Sequence, residues 1–427
     1  MRPMHFPAPA LCRVRLAAAI LVAATLTTAC ATAPTARPPQ ADAAAAIPSA
    51  DVHEAAFAAW LAAFRQRAKA AGIADSTLSR SLDDVRFLPR VIELDGAQPE
   101  FTRTVWDYLD RTVTAQRVAT GREMLERIRT EAPGVLRPYG VPPEVVVAIW
   151  GMESNYGTNT GATPTLDALA TLGFEGRRAN WAQDQLIAAL RIVERGDIAP
   201  GRMIGSWAGA MGQTQFLPSS FLSFAVDADG DGRRDIWSSL PDVVASTANY
   251  LAKSGWRSQE PWGAEVRLPP GFDFGRADTS VVQSGARWSA EGLTSPDGAR
   301  LPDIAEASVL LPAGARGPAF LVGANFRAIL RYNNSTSYAL AVSLLSQRIA
   351  GGADVVAPWP RDLAVLGRSD TAELQRALSA RGFESGEPDG VAGPATRTAV
   401  RAYQRSVGLP ADGQADGDLL ARLRRAP

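Results

Sequence analysis

One stretch constrains the rest of the chain: Val145-Val146-Val147-Ala148-Ile149-Trp150-Gly151-Met152-Glu153-Ser154-Asn155-Tyr156-Gly157. Pro142 and Pro143 suit the first turn of a helix, and Gly157 suits its end. A helix this apolar belongs in an interior, yet it carries a carboxylate. Val146, Ile149 and Glu153 are spaced i, i+3, i+7 and share one face. Trp150 lies one turn before Glu153 on nearly that face. A carboxyl held against Trp and Ile loses hydration, its ionised form is disfavoured, and its pKa rises. Most glutamates point to solvent; the apolar face reverses that expectation here. A carboxylic acid still protonated near neutral pH suits glycosidic bond cleavage, because the leaving oxygen must receive a proton.

The rest of the composition narrows the chemistry further. Among 427 residues there are two cysteines and two histidines. Cys12, Cys30 and His5 fall in the first thirty residues, which leaves His53 for the remainder. A Ser-His-Asp triad, a Cys-His pair and a His-ligated zinc site are excluded, so any catalysis rests on carboxylates. Lys+Arg and Asp+Glu are both 44, which gives no bulk charge for nucleic acid.

The first residues read as an export signal. Arg2, Arg13 and Arg15 form a basic region, and Leu16 to Leu26 an apolar one too short for a comfortable membrane span. Thr27-Thr28-Ala29-Cys30 resembles the lipobox of bacterial lipoproteins, with Thr27 departing from the usual Leu. Residues 1–29 are then a signal peptide, Cys30 the lipidated residue, and 30–50 an Ala/Pro/Thr-rich tether. Ala29-Cys30-Ala31 also fits ordinary secretory cleavage. Ala31 lacks the Asp associated with inner-membrane retention. The expected location is therefore the periplasmic side of the envelope, lipid-anchored at the outer membrane.

Helical periodicity begins at Asp51, with Phe57, Trp60, Leu61 and Phe64 on one face and Gly72 near the end. Further helices are expected over about 100–129, over 181–195 with Leu186, Ile187, Leu190 and Val193 inward, over 242–253, and over 337–349. Ser337 reads as the N-cap of the last. Residues 257–320 are Gly/Pro-rich with short apolar runs, which suggests a small β-containing insertion. Gly351 to Arg361 reads as a linker. In the tail, Leu374, Ala377, Leu378 and Ala399, Val400, Tyr403 form two apolar stripes. There Asp389-Gly390 recurs as Asp412-Gly413, a weak repeat of about 23 residues.

Three blocks carry a resemblance: Glu153-Ser154-Asn155-Tyr156-Gly157, Asp167-Ala168-Leu169-Ala170-Thr171-Leu172, and Ser206-Trp207-Ala208-Gly209-Ala210-Met211-Gly212-Gln213-Thr214-Gln215-Phe216-Leu217-Pro218. With Asn249-Tyr250 and Arg331-Tyr332-Asn333-Asn334-Ser335, they resemble the membrane-bound B-type lytic murein transglycosylases over about residues 51–350. The tail, with Asp389-Gly390-Val391-Ala392-Gly393-Pro394-Ala395-Thr396, resembles the three-helix peptidoglycan-binding domain of cell-wall hydrolases. In its second repeat Asp416-Gly417-Asp418-Leu419 replaces the usual Gly-Pro-x-Thr.

The resemblance implies a mainly α fold: a lysozyme-like helical catalytic domain over 51–352 with the small β-containing insertion, a linker over 353–366, and a three-helix peptidoglycan-binding domain over 367–425. It implies cleavage of the β-1,4 bond between N-acetylmuramic acid and N-acetylglucosamine without water, forming a 1,6-anhydro sugar. Glu153 serves as acid and then as base. By position in the matching blocks, Ser206, Gln215, Tyr250, Tyr332, Asn333 and Tyr338 are expected to line the substrate cleft. Aromatic faces cover sugar rings, and Asn offers a donor and an acceptor. Met211 and Phe216 read as core. Arg177-Arg178 reads as a solvated pair, with contact to anionic peptide stems as the alternative. A hydrolytic muramidase and a non-catalytic wall-binding scaffold are the competing functional readings. The expected partners are peptidoglycan glycan strands, the membrane through the lipid anchor, and other cell-wall enzymes. Nucleic acid is not among them, and the chain is expected to be monomeric.

Asp227-Ala228-Asp229-Gly230-Asp231-Gly232-Arg233-Arg234-Asp235 places acids at positions 1, 3, 5 and 9 of an EF-hand-like loop, Gly at 6 and Arg233 at 7, the position that supplies a main-chain carbonyl. Position 12 is Ser238 rather than Glu. The B-type enzymes carry a loop whose last acid comes slightly later, which assigns Asp242 that role. A structural Ca²⁺ on Asp227, Asp229, Asp231, Arg233, Asp235 and Asp242 is expected, and no cofactor for the chemistry. A metal-free Asp/Gly turn is the alternative.

Overall fold

The computed structural model describes residues 50–96 and 104–425. The signal segment, Cys30 and the tether lie outside the described residues. The helices before the key stretch are α1 (Ala50–Ala70), α2 (Asp75–Leu82), α3 (Pro89–Gly96), α4 (Val105–Thr112) and α5 (Ala115–Glu131). Next come α6 (Pro143–Ser154), strand β1 (Thr163–Pro164), α7 (Thr165–Glu175), α8 (Ala179–Glu194), β2 (Ile204–Gly205), α9 (Pro218–Phe224) and α10 (Leu240–Lys253). The chain continues through β3 (Gly263–Val266), α11 (Gly285–Ala290), β4 (Ser308–Leu310), β5 (Ala319–Val322), α12 (Ala324–Tyr332) and α13 (Thr336–Ile349). The last helices are α14 (Arg368–Ser379), α15 (Pro394–Ser406) and α16 (Gly417–Arg425).

The fold is built around α6. Val146 to Ile149 are 0% exposed and Trp150 2%. Each fully buried Val or Ile side chain here contributes ~1.5–3 kcal/mol. α6 packs against α13, α5 and α10, and one core joins Val146, Ile149 and Trp150 to Val243, Phe326, Tyr338 and Leu345. A second core lies under α7 and α8, where Leu169, Leu186 and Leu190 meet Phe57, Phe64 and Phe221. The insertion is a three-stranded antiparallel sheet, order β3-β5-β4, with Val266 opposite Ala319 and Leu310 opposite Phe320. Its face covers Trp288, Leu293 and Ile304.

Two local expectations are corrected. The single helix over 100–129 is two helices among its described residues. Thr114 takes an extended backbone and its side chain accepts from the Arg117 N–H, which starts α5 afresh. The N-cap of α13 is Ser335 rather than Ser337: the Ser335 side chain accepts from the Tyr338 N–H at 3.3 Å.

The tail packs Leu374, Leu378, Val400, Tyr403 and Leu420 into a core of its own, with Ala377 only half-buried. The weak repeat is real in three dimensions. Gln375 Nε2 donates to Asp389 Oδ1 at 3.0 Å, and its Oε1 accepts from Gly390 N at 2.9 Å. Gln404 repeats this with Asp412 at 2.7 Å and Gly413 N at 2.9 Å. The second copy is also tied to the insertion. Asp412 Oδ2 accepts from Ala315 N at 2.8 Å, and Arg401 pairs with Asp278 at 3.3 Å. The segment before the tail is strapped down: Trp359 and Leu363 close a small core on Trp106 and Ala313, and Arg361 pairs with Asp110 at 2.6 Å.

Candidate active site

Glu153 occupies the last turn of α6. Past it the chain turns sharply, through Asn155, Tyr156 and Gly157 at φ 48°, 60° and 83°. Two consecutive non-glycine residues in the left-handed region cost ~1–3 kcal/mol each and persist only where the surroundings hold them. Here the Tyr156 ring folds back on Gly151, where a Cβ would lie 2.6 Å from it. The ring also meets Trp150 edge-on at 5.9 Å, and its hydroxyl donates to Arg117 O at 2.7 Å.

The Glu153 side chain is half-buried. Its Oε1 accepts from the Tyr338 hydroxyl at 2.5 Å. Burial pushes the carboxyl up to about 7, with the Tyr338 hydrogen bond pulling the other way. Burial and the Glu153 charge both hold the Tyr338 phenol well above its ordinary value, so it stays a donor. The same two causes raise Tyr332, which places that ring within the field of Glu153.

Of the residues expected to line a cleft, Tyr338, Tyr332 and Tyr250 come together with Glu153. Tyr332 donates to Thr214 O at 2.7 Å and Tyr250 to Arg331 O at 2.6 Å. Their rings stand 4.6 Å apart, both against the buried Phe216. Ser206 and Gln215 lie on the loop that ends in Phe216. Ser206 Oγ accepts from the Ala208 and Ala210 amides at 3.3 and 3.1 Å. Gln215, at φ 51°, donates to Thr160 O at 3.1 Å and Gly212 O at 2.8 Å. Asn333 ends α12 beside Tyr332 with an exposed side chain. Met211 and Phe216 are core, at 0% and 2% exposure.

Sequence reasoning passed over Gln213. Its Oε1 accepts from Trp150 Nε1 at 2.9 Å and its Nε2 donates to Trp237 O at 2.7 Å. The only sequence signal is a second Gln two residues before Gln215. The Arg177-Arg178 pair is not simply solvated. Arg177 reaches the buried Asp95 at 3.3 Å, and Arg178 lies over Trp181 at 4.4 Å.

In the acidic loop, carboxylate oxygens of Asp227, Asp229 and Asp242 lie within 4.8 Å of one another. Asp242 is 0% exposed. Burial is the main cause that raises it to about 6, against amide bonds from Ala228 and Asp235 that lower it. Asp231 and Asp235 do not join this group. Asp231 turns to Arg233, 2.8 Å away, and Asp235 accepts from the Trp237 and Ser238 amides. The Arg233 side chain is held in the pair with Asp231.

A half-buried carboxyl whose pKa is raised, backed by a phenol and flanked by tyrosine rings on a helical scaffold, defines a lysozyme-like glycan-cleaving site. The family model for the transglycosylase SLT domain matches residues 56–347, and the chain belongs to that family. It is a lytic transglycosylase acting on peptidoglycan. A second model, for a putative peptidoglycan binding domain, matches residues 367–423. Membrane-bound lytic murein transglycosylase B of Escherichia coli strain K12 is 36% identical over 250 residues, 57% of this chain and 66% of that one. SltB3 from Pseudomonas aeruginosa, solved in complex with NAG-anhNAM-pentapeptide, is 50% identical with a TM-score of 0.83, covering 86% of this chain and 99% of that one. The Escherichia coli lytic transglycosylase Slt35, solved in complex with calcium, is 32% identical with a TM-score of 0.57, covering 69% of this chain and 92% of that one.

Proposed function

We propose that Glu153 alone carries both proton transfers in cleavage of the N-acetylmuramyl–N-acetylglucosamine β-1,4 bond. The observation behind this is the half-buried carboxyl, held up to about 7 and bonded through Oε1 to Tyr338. A phenol donating to Oε1 makes that oxygen the acceptor and leaves the proton on Oε2. That proton passes to the glycosidic oxygen as the C1–O bond breaks. The resulting carboxylate then takes the proton of the muramyl 6-hydroxyl as that oxygen bonds to C1. No water is consumed, and Glu153 ends protonated as it began. A hydrolase would instead use a second carboxylate about 5–9.5 Å away, and the two schemes differ in whether water or the muramyl 6-hydroxyl attacks C1.

The other cleft residues divide the remaining work. Ser206 accepts from two amides, and its hydroxyl hydrogen remains for the sugar near C1. Gln215 spends its amide hydrogens on the loop and keeps Oε1 as an acceptor. Tyr250 and Tyr332 spend their hydroxyls on main-chain carbonyls and offer ring faces. Asn333 offers an exposed donor and acceptor. Mass spectrometry of digested sacculi tests the reading: anhydro-muramyl products, lighter by one water than hydrolytic ones, are expected. Reducing ends would make the protein a hydrolytic muramidase, and no release a binding scaffold.

The acidic loop is a calcium site in this reading. Three converging carboxylates, one of them fully buried, repel one another unless a cation is shared, and all-oxygen donors select Ca²⁺. The ligands are then Asp227, Asp229 and Asp242, with Asp231, Arg233 and Asp235 shaping the loop. The ion supplies stability rather than chemistry.

Similarity to a membrane-bound murein transglycosylase and a peptidoglycan-binding tail supports residence in the cell envelope. Lipid attachment at Cys30 and residence at the outer membrane remain part of the proposal. So do domain limits at 51–352 and 367–425 with the linker 353–366 between them. Among the described residues no helix is long and apolar enough to cross a membrane.

A further inference from the structure

Gln213 makes an unusually complete set of bonds. Its main-chain N–H donates to Ile236 O at 2.8 Å. Its side-chain amide donates to Trp237 O and accepts from the Trp150 indole. Trp150 is buried one turn before Glu153 on α6, and among the described residues its indole N–H has this single acceptor. On the other side of α6's exit, a Cβ at Gly157 would lie 2.3 Å from Gln213 Oε1. The amide therefore fills the angle between the helix and the turn that follows it. Trp237 is itself fixed, because Asp235 Oδ1 accepts from its N–H at 2.9 Å and its indole donates to Ile204 O at 3.3 Å.

Only a neutral side chain with one donor and one acceptor at this reach closes the bridge. A carboxylate would face Trp237 O with a lone pair, and an aliphatic side chain would leave the Trp150 indole N–H and the Trp237 carbonyl without this partner.

We infer that Gln213 is a positioning residue for the lytic reaction, a clamp that fixes the Trp150 indole to the Ile236–Trp237 segment and thereby holds the Glu153 end of α6. This rests on the reading of Glu153 as the acid. With the clamp in place, Trp150 keeps water from the carboxyl, and the carboxyl stays in reach of Tyr338. Without it, Trp150 loosens, water reaches Glu153, and the acid loses both its orientation and the desolvation that keeps it protonated.

The test uses the full chain with Gln213→Leu, Trp150→Phe and the double variant. Trp150→Phe keeps an aromatic ring but removes the N–H, so it carries the test alone if Gln213→Leu does not fold. Either single change should lower kcat ~10–100-fold, the scale of a small misplacement of a catalytic group, with KM within about twofold. Each should also move the basic limb of the kcat pH profile toward acid. The double variant should lose no more than the worse single one, because Trp150→Phe removes only the Trp150–Gln213 bond that Gln213→Leu has already removed. Losses that multiply, or a lowered kcat with the basic limb unmoved, would reduce Gln213 to a general structural contact. Glu153→Gln serves as the control. If it stays active, the reading of the acid fails; if it is dead while the clamp variants keep the wild-type pH profile, only the clamp fails.

Discussion

Tyr338 reaches Glu153 from a helix 185 residues further along the chain, hydroxyl to Oε1, at 2.5 Å. This bond opposes the effect of burial on the carboxyl. Removing it with Tyr338→Phe should therefore raise the Glu153 pKa, moving the basic limb of activity toward alkali. The same change loses a charge-assisted bond worth about 1.5–3 kcal/mol, so turnover should fall roughly 10–100-fold. A pH–rate profile measures both. A limb that moves toward acid would contradict the assignment of Tyr338 as the donor.

Glu153 also has a signature in stability. Its folded pKa is about 7 against an ordinary 4.5. Below about pH 4.5 both states are protonated and burial costs nothing in linkage. Between the two values the unfolded chain ionises while the folded one does not, so stability declines with rising pH. Above about pH 7 the full cost, about 3 kcal/mol, is present. Glu153→Gln should thus match wild type in Tm at pH 4 and exceed it at pH 8. Thermal melts at the two pH values check this, and equal melts at pH 8 would show that the carboxyl is well hydrated.

Millimolar Ca²⁺ should raise the wild-type Tm, and Asp227→Ala with Asp242→Ala should abolish the rise. At a hundredfold excess over Kd the stabilisation is about 2.7 kcal/mol. Asp231→Ala should retain most of the response, because Asp231 is turned to Arg233. A melting curve that ignores both calcium and chelator would make the loop a plain turn.

Truncation should depend on where it falls. Removing residues 367–427 should weaken binding to intact sacculi and leave cleavage of soluble strands nearly unchanged, since the tail acts through local concentration. Removing residues 353–427 also takes away Trp359 and Leu363, which cover Trp106 and Ala313. That longer deletion should lower stability by about 3–5 kcal/mol, the scale of a lost buried Trp. Calorimetry and sacculus pull-down separate the two effects.

The sequence made some of this plain and left some of it hidden, for physical reasons. α6, α8 and α10 are legible because their apolar spacing is local, and Glu153 stands out because burial can be read from its neighbours. The break between α4 and α5 turns on one Thr114 hydroxyl, and the cap of α13 on Ser335 rather than the equally plausible Ser337. Gly151 has no local rationale; it is small because Tyr156 folds back on it. The acidic motif shows five candidates and Asp242 lies outside it, so which oxygens converge depends on how α10 brings Asp242 to the loop. Gln213 was invisible because both its side-chain partners, Trp150 and Trp237, are distant in sequence.

The most direct test of the central claim is mass spectrometry of the soluble products that wild type and Glu153→Gln release from purified sacculi. The substitution keeps shape and hydrogen-bonding reach but removes the transferable proton. Wild type should release anhydro-muramyl products. Glu153→Gln should still bind sacculi and lose turnover by about 10⁴-fold or more, the upper end of one general acid–base contribution, because both proton transfers fail together. A variant that keeps more than about a tenth of wild-type release would contradict Glu153 as the catalytic acid.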